Sequence, residues 1–191
     1  MRDIVLVLFT LLTLSASLLG AATAGDLPGV PPETVTDYLH AVIQSDRTFY
    51  TIHVVERQQN AGGVAAAEDW RAQQKALPLP AQFLMESAEL TMKAGTKFRY
   101  RLISLWPINP HNVARNDMER SGLQSLQAHP EKTVTGTFKE GNVTYFQAIY
   151  ADRAVSQSCA QCHNTHPNSP KKDFKLHDTV GGLVIEIPLE R

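Results

Sequence analysis

The chain has 191 residues, of which 43% are hydrophobic and 19% are charged, a composition typical of one ordinary globular domain. The formal net charge is −1 and the isoelectric point is about 6.6, so no basic surface field favours nucleic acid or anionic lipid. The sequence contains no internal repeat and no low-complexity block. Function must therefore be sought in local motifs.

The first residues have the pattern of a secretory signal. Arg2 precedes an uncharged, mostly apolar run over 4–20, and small residues follow at 22–24. The A-x-A pattern predicts cleavage before Gly25 and a periplasmic or secreted mature protein. Because Asp3 cancels Arg2 and weakens the signal, an uncleaved anchor is the alternative. The predicted organisation is a signal peptide at 1–24, a flexible leader at 25–32 and a single domain at 33–191.

A long amphipathic helix is predicted next. Two prolines followed by Glu33 mark its beginning, and the pattern continues to about Gln59, before two glycines. Its apolar face groups five side chains: Val35, Leu39, Val42, Phe49 and His53. No state is assigned to the alanine-rich segment that follows. A second helix is expected at about 81–93, where prolines precede it and a glycine ends it.

The remaining elements predict a sheet with further helices. Basic residues at 97, 99 and 101 alternate with Phe98, Tyr100 and Leu102, the pattern of a strand with one wet and one dry face. A helix at 117–128, with Met118, Leu123 and Leu126 inward, strands at 133–139 and 143–150 around a turn at Gly141, and a last strand at 183–187 are expected. This order predicts an α+β domain in which helices pack on one side of an antiparallel sheet.

The only two cysteines lie in the sequence Cys159-Ala160-Gln161-Cys162-His163, and C-x-x-C-H is the signature of a covalently attached c-type haem. Both thiols must lie on one turn of backbone so that each can add across a vinyl group of the same porphyrin. The following histidine is then held beneath the ring as the proximal iron ligand. We therefore predict one haem c, attached through Cys159 and Cys162, with His163 on the iron.

Three other interpretations of the cysteine pair were weighed. A thioredoxin-type redox pair expects a long helix after it, but the proline-containing run at 164–170 cannot continue a helix for long. A zinc site would need two more ligands from histidine or carboxylate, an uncommon structural set. A plain surface disulfide is the third alternative. The secretory signal favours haem, because c-type haem is attached outside the bacterial cytoplasm.

Several motifs taken together resemble a known family of c-type haem-binding, PAS-like domains. The motifs are LPA at 79–81, RLIS at 101–104, PINP at 107–110, CAQCH at 159–163, NTHPNSPK at 164–171, DFK at 173–175 and GGL at 181–183. The resemblance covers about 34–189. It implies a PAS-like fold around one c-type haem, in a family that includes stand-alone secreted proteins and extracytoplasmic sensor domains. Without a following transmembrane helix or kinase, the chain resembles the stand-alone branch.

The distal iron ligand is less defined. The family resemblance suggests a cysteine from the first long helix as one option, but the chain has no third cysteine. We take His53 as the candidate, because an unpaired imidazole on an apolar helix face would cost a few kcal/mol unless something binds it. His111, His40, a methionine, water and an open position are the alternatives.

Haem propionates need cations or hydrogen-bond donors unless they point to water. Arg99 and Arg101, on one face of a predicted strand, are the candidate contacts. Lys171 and Lys172, near the cysteine motif, are the alternatives, and a solvated row of charges is the simpler interpretation of all four.

Two functions fit these predictions. In the first, the protein is a haem-based sensor in which a redox change or a small gaseous ligand alters iron ligation and a partner protein reads the change. In the second, it is a periplasmic electron carrier with an edge-exposed haem. Outside the haem motif, no nucleophile with its base and no second metal site is recognised, so catalysis is not predicted. The expected partner is a redox or signalling protein, with no nucleic acid and no membrane span after signal cleavage.

Overall fold

The computed structural model describes residues 29–189, so the predicted signal peptide (1–24) lies outside the described residues, as does the first half of the leader. An almost continuous helical stretch comes first, with α1 at Pro32–Phe49, a π-helical segment at Tyr50–Glu56 and α2 at Arg57–Asn60. Proline at the start of α1 removes an N–H group that would have no intrahelical partner. Within the described range, no helix combines the length and apolarity needed to cross a bilayer.

The other elements alternate between strands and helices. They are β1 at Ala65–Ala66, β2 at Ala76–Leu77, α3 at Pro80–Lys93, β3 at Arg99–Ile103, α4 at Asp117–Ala128, β4 at Val134–Glu140, β5 at Val143–Arg153, α5 at Gln157–Thr165 and β6 at Thr179–Pro188. The two short strands β1 and β2 form a parallel pair. The main sheet is open and antiparallel, with strand order β3-β6-β5-β4. The predicted mixture of helices with an antiparallel sheet is confirmed.

The main sheet buries both of its faces. On one face, Tyr100, Leu102 and Leu183 pack with Leu84 and Ala88 of α3. On the opposite face, a second cluster joins the sheet to α4, and its buried members are Ile103, Leu123, Leu126, Ile149 and Val184. The prediction that helices pack on one side is therefore wrong, because α4 covers the face opposite to α1 and α3.

The wet face predicted for β3 is also wrong. Arg101 is 9% exposed and forms an ion pair with Glu119 of α4, which is 1% exposed. Gln147 of β5 joins the pair, its Nε2 donating to Glu119 Oε1 over 3.0 Å and to Glu186 Oε1 over 2.8 Å. Burial of this polar group needs such partners, since an unpaired charge would be costly there. Arg101 therefore lies on a covered face of the sheet, not on a wet one.

The first helix packs with its polar side inward. Thr36, Arg47 and Thr51 are buried, whereas Val42 and Phe49 are 61% and 63% exposed. The predicted apolar face is wrong at Val42, Phe49 and His53, which are exposed, although Leu39 packs against the core as expected. The inward side also carries polar residues, because it meets polar partners on β5. Two bonds show this: Tyr150 OH donates to Asp37 Oδ1 over 2.8 Å, and Arg47 Nη1 donates to Asp152 Oδ1 over 2.7 Å.

The start of β6 lies close against the end of β3. A Cβ at Gly181 would clash with the backbone carbonyl oxygen of Ile103. Ser104 Oγ adds a hydrogen bond to Val180 O over 2.7 Å, so the two backbones are fixed at this point. The close approach requires glycine and positions the loop after β3 beside the segment that follows α5.

Candidate functional site

The helix α5 carries the cysteine motif between β5 and β6, as predicted. Ser156 is its N-cap, and the Oγ accepts from the Cys159 N–H over 3.4 Å. The same Oγ lies 3.3 Å from Cys159 Sγ. Cys159 and Cys162 are free thiols, and His163 follows them within the helix. The helix ends at Thr165, before Pro167, so it presents two thiols and an imidazole within a little more than one turn.

The segment after the motif is pinned to α5. Asn164 Nδ2 donates to Phe174 O over 2.8 Å, and Asn164 Oδ1 accepts from Phe174 N over 2.9 Å. Phe174 packs in a small core with Ala160 and Val180. Its ring meets the His163 ring edge to face, with centroids 5.5 Å apart. These contacts restrict the orientation of the imidazole.

The motif faces a cavity of about 640 Å³, within the range of about 300–1,000 Å³ for small-molecule and cofactor sites. The walls come from α5, the first helical stretch, the beginning of α3 and the loop after β3. Representative lining residues are Cys159, Cys162, His163, Arg47, Thr51, Val55, Pro80, Met85, Trp106, Ile108 and Asp152. The structure therefore brings both thiols and the imidazole of the predicted haem motif to one cavity.

The His163 imidazole has a buried ring nitrogen, Nδ1, with no hydrogen-bond partner among the described residues, and burying such a group is costly. Burial lowers the pKa of His163, while the charge of Asp152 raises it and that of Arg47 lowers it. Low solvation favours the neutral imidazole, which is the form that binds metal ions.

The pKa of the Cys162 thiol is raised, whereas that of the His163 imidazole is lowered. Cys162 is exposed at the cavity, and desolvation by the surrounding protein raises the pKa of its thiol, with smaller contributions from the charges of Glu68 and Cys159. The shift keeps Cys162 protonated and lowers its thiolate content near neutral pH.

The other predicted histidine ligands are not among the residues that line this cavity. His53 is exposed, and its ring packs on Phe49 with centroids 4.9 Å apart. The expectation that His53 sits on a buried face is therefore wrong. No contact between His53 and the cavity supports its predicted role as an iron ligand, which stays a prediction. His40 stacks on Tyr150, with centroids 4.0 Å apart, and lines a separate cavity. His111 is exposed in the loop after β3.

The predicted propionate contacts also lie elsewhere. Arg99 pairs with Glu186 and Glu140 at 2.6 and 2.8 Å, and Arg101 pairs with Glu119. Neither arginine lines the cavity. The alternative Lys171 lies over the rings of Trp106 and Phe174, with its Nζ 5.3 and 4.9 Å from their centroids.

Arg47 is a charged residue of the cavity wall that the sequence analysis did not single out. Arg47, Thr51 and Val55 follow one another along the first helical stretch at intervals of four residues, and all three line the cavity. This spacing was available in the sequence. The partner Asp152 was not, because it lies 105 residues away.

His166, the residue directly after α5, contacts a neighbouring loop. His166 Nε2 lies 3.1 Å from Glu68 Oε1, and its Nδ1 accepts from Asn168 N over 3.1 Å. All three residues line the cavity. Across 29–189, no group of three or more His, Cys, Asp and Glu side chains is arranged to hold a bare metal ion.

The chain is thus a mixed helix and sheet domain in which a short cysteine-bearing helix faces a cavity. The sequence model of the Tll0287-like proteins matches residues 33–188. The chain therefore belongs to the Tll0287-like family, which confirms the family resemblance predicted from the motifs.

One solved structure supports the same fold. The crystal structure of the cyanobacterial heme-protein Tll0287 is similar to this chain, with a TM-score of 0.53 and 18% sequence identity. The similarity covers 85% of this chain and 99% of that chain. No curated protein matches the sequence.

Proposed function

We propose that this protein is a monohaem c-type cytochrome in which Cys159 and Cys162 form the two thioether links and His163 binds the iron. The observation that carries the proposal is that both free thiols and the unpaired imidazole line one cavity. A heme-protein of similar fold gives further support. The donor set of two thiols and a following histidine is the one that haem c requires.

The residues around the site suit this cofactor. Phe174 restricts the imidazole ring, and Asn164 holds the segment that carries Phe174. Apolar side chains such as Val55 and Trp106 line the cavity and would exclude water from the macrocycle. Haem, when bound, supplies a redox-active iron that can also take small ligands. The protein residues supply the covalent anchor, the proximal ligand and a largely dry environment.

We propose that the cytochrome acts as a redox or small-ligand sensor. Among the described residues that line the cavity, His166 is the only imidazole besides His163, and it is engaged by Glu68 and Asn168. Met85 is the only thioether. If neither of these side chains bound the iron, a small molecule could do so, and a change in ligation is what a sensor needs. The partner that reads the change is expected to be a redox or signalling protein.

An electron carrier is the second candidate, and the exposure of Cys162 supports it. A thioether at an exposed cysteine would bring one edge of the macrocycle close to the surface, where a redox partner could approach. In both cases we propose a PAS-like arrangement of the single domain and export through the predicted signal peptide.

Covalent attachment is tested on mature protein made with a haem-maturation system. We expect the haem to stay with the denatured protein through acid-acetone extraction and to give a c-type pyridine haemochrome. The Cys159→Ala/Cys162→Ala double variant is the control that should release it. Extraction of haem from the wild-type protein would overturn the proposal. Carbon monoxide then separates the two functions: a rapidly formed adduct supports the sensor, and an unchanged ferrous spectrum supports the carrier.

A further inference from the structure

A buried ion pair lies in the wall of the cavity. Arg47 on α1 and Asp152 near the end of β5 are 8% and 6% exposed, and Arg47 Nη1 donates to Asp152 Oδ1 over 2.7 Å. Both residues line the same cavity as Cys159 and His163. Their charges act on the His163 imidazole with opposite sign. The pair is thus part of the electrostatic environment of the proposed iron ligand.

Arg47 and Asp152 are the two charges of the cavity wall that solvent screens least. Of the described residues that line the cavity, Arg47 is the only lysine or arginine. The other carboxylates in the wall belong to Glu56, Glu68 and Glu86, all of which are at least partly exposed. A charge acts more strongly where water is excluded, because the effective dielectric constant is lower there.

We propose that Arg47 and Asp152 act on the reduction potential of the haem with opposite sign, Arg47 raising it and Asp152 lowering it. This inference rests on the proposed haem attachment. Ferric iron carries one more positive charge than ferrous iron, so a nearby cation disfavours the ferric state and a nearby anion favours it. Because the two groups are hydrogen-bonded, their effects largely cancel while the pair is intact. Removing either partner leaves the other uncompensated in a buried place.

A purely structural role makes a different prediction. If the pair only ties α1 to β5, then loss of either side chain lowers stability and disturbs the cavity in the same way. The sign of a redox shift therefore distinguishes the two roles, because only the charge role predicts shifts in opposite directions.

The test measures the midpoint potential of the holoprotein by spectroelectrochemical titration. We expect Arg47→Met to lower the potential, Asp152→Asn to raise it, and the double variant to return close to the wild-type value. Shifts of equal sign, or no shift in either single variant, would overturn the inference. Arg99→Met is the matched control, because Arg99 is also ion-paired but does not line the cavity. The midpoint potential of this variant should equal that of the wild type.

Two further measurements keep the outcomes separate. Acid-acetone extraction is done first on the same samples. Release of haem from the wild type counts against the proposed attachment. Retained haem with unchanged midpoint potentials in the variants counts against the charge pair alone. If Asp152→Asn does not accumulate as folded holoprotein, Arg47→Lys and Arg47→Met decide. A near-wild-type potential for the lysine variant and a lower one for the methionine variant support the inference, and equal potentials overturn it.

Discussion

His166 Nε2 lies 3.1 Å from Glu68 Oε1, and this contact joins the end of the cysteine-bearing helix α5 to the segment between β1 and β2. The Nδ1 of the same ring accepts a hydrogen bond from Asn168 N over 3.1 Å. With Nδ1 acting as acceptor, the ring hydrogen is on Nε2 and is donated to Glu68. His166 therefore helps to hold the loop between β1 and β2, which Gln82 and Glu86 of α3 also contact.

Substituting Glu68→Ala should loosen that loop. We expect faster amide hydrogen exchange in the peptides that contain β1 and β2, with the melting temperature almost unchanged, because the Glu68 side chain is 62% exposed. Hydrogen exchange read by mass spectrometry gives the result. Glu131→Ala is the matched control, since Glu131 faces His129 on another part of the surface at 3.7 Å. Unchanged exchange around Glu68 would show that the contact does not hold the loop.

Substituting His53→Ala should leave the haem spectrum unchanged. His53 is exposed, packs on Phe49 and does not line the cavity, so its loss removes no group near the iron. Visible spectra of the oxidised and reduced holoprotein provide the measurement, with His163→Ala as the variant that should change them. Conversion from low spin to high spin in His53→Ala would restore His53 as the distal ligand.

The stability of the protein should depend on pH through His40. Burial lowers the pKa of His40 below 6.5, an effect that the charges of Asp37 and Asp152 oppose. Between the lowered pKa and 6.5, the unfolded chain binds a proton that the folded protein does not. The free energy of unfolding therefore decreases as the pH falls through this window, and His40 causes no such decrease above pH 6.5.

The His40→Phe variant isolates this contribution while keeping a ring against Tyr150. We expect the wild-type protein to lose more free energy of unfolding than the variant when the pH falls from 7.5 to below 6, by an amount read from urea titrations at each pH. Parallel pH profiles of the two proteins would contradict the prediction. The comparison isolates the contribution of His40, because the two proteins differ at that residue alone.

Substituting Arg101→Met should destabilise the fold strongly. Glu119, which is 1% exposed, would lose its guanidinium partner and keep bonds only to Gln147 and the Arg115 N–H. Breaking a buried pair by removing one partner typically costs about 3–5 kcal/mol of stability. Thermal and urea denaturation measure the loss. Arg71→Met, which breaks an exposed pair with Glu86, should change little, and similar losses in both variants would contradict the prediction.

Local patterns in the sequence predicted most of the elements. The helix expected at 117–128 begins at Asp117 and ends at Ala128, and Leu123 and Leu126 are buried as expected. The hairpin turn holds Gly141 at a φ of 59°, the conformation for which a glycine was expected. Such features depend on neighbours within a few residues, so periodicity and turn chemistry are enough to predict them.

Features that depend on distant partners were not predictable in this way. Arg101 indicates a wet strand face until Glu119 is known to cover it. Polar residues on α1 indicate an outer face until Asp152 is known to pair with Arg47. The π-helical segment at Tyr50–Glu56 was also missed, because a pattern scored at 3.6 residues per turn gives no signal for i→i+5 hydrogen bonds. In each case tertiary contacts decide which side of an element is buried.

The close approach of Gly181 to Ile103 makes the two sides of the cavity unequal. Both residues line the cavity. The backbone of Gly181 packs directly against the backbone of Ile103, so this side of the cavity is rigid. The side formed by α3 includes Met85, whose unbranched thioether can change rotamer at little cost. Any change in the shape of the cavity around a bound molecule is therefore expected at Met85 and its neighbours. A side chain at position 181 would force the two main chains apart, whereas a change of rotamer at Met85 alters the shape of the cavity without moving the backbone.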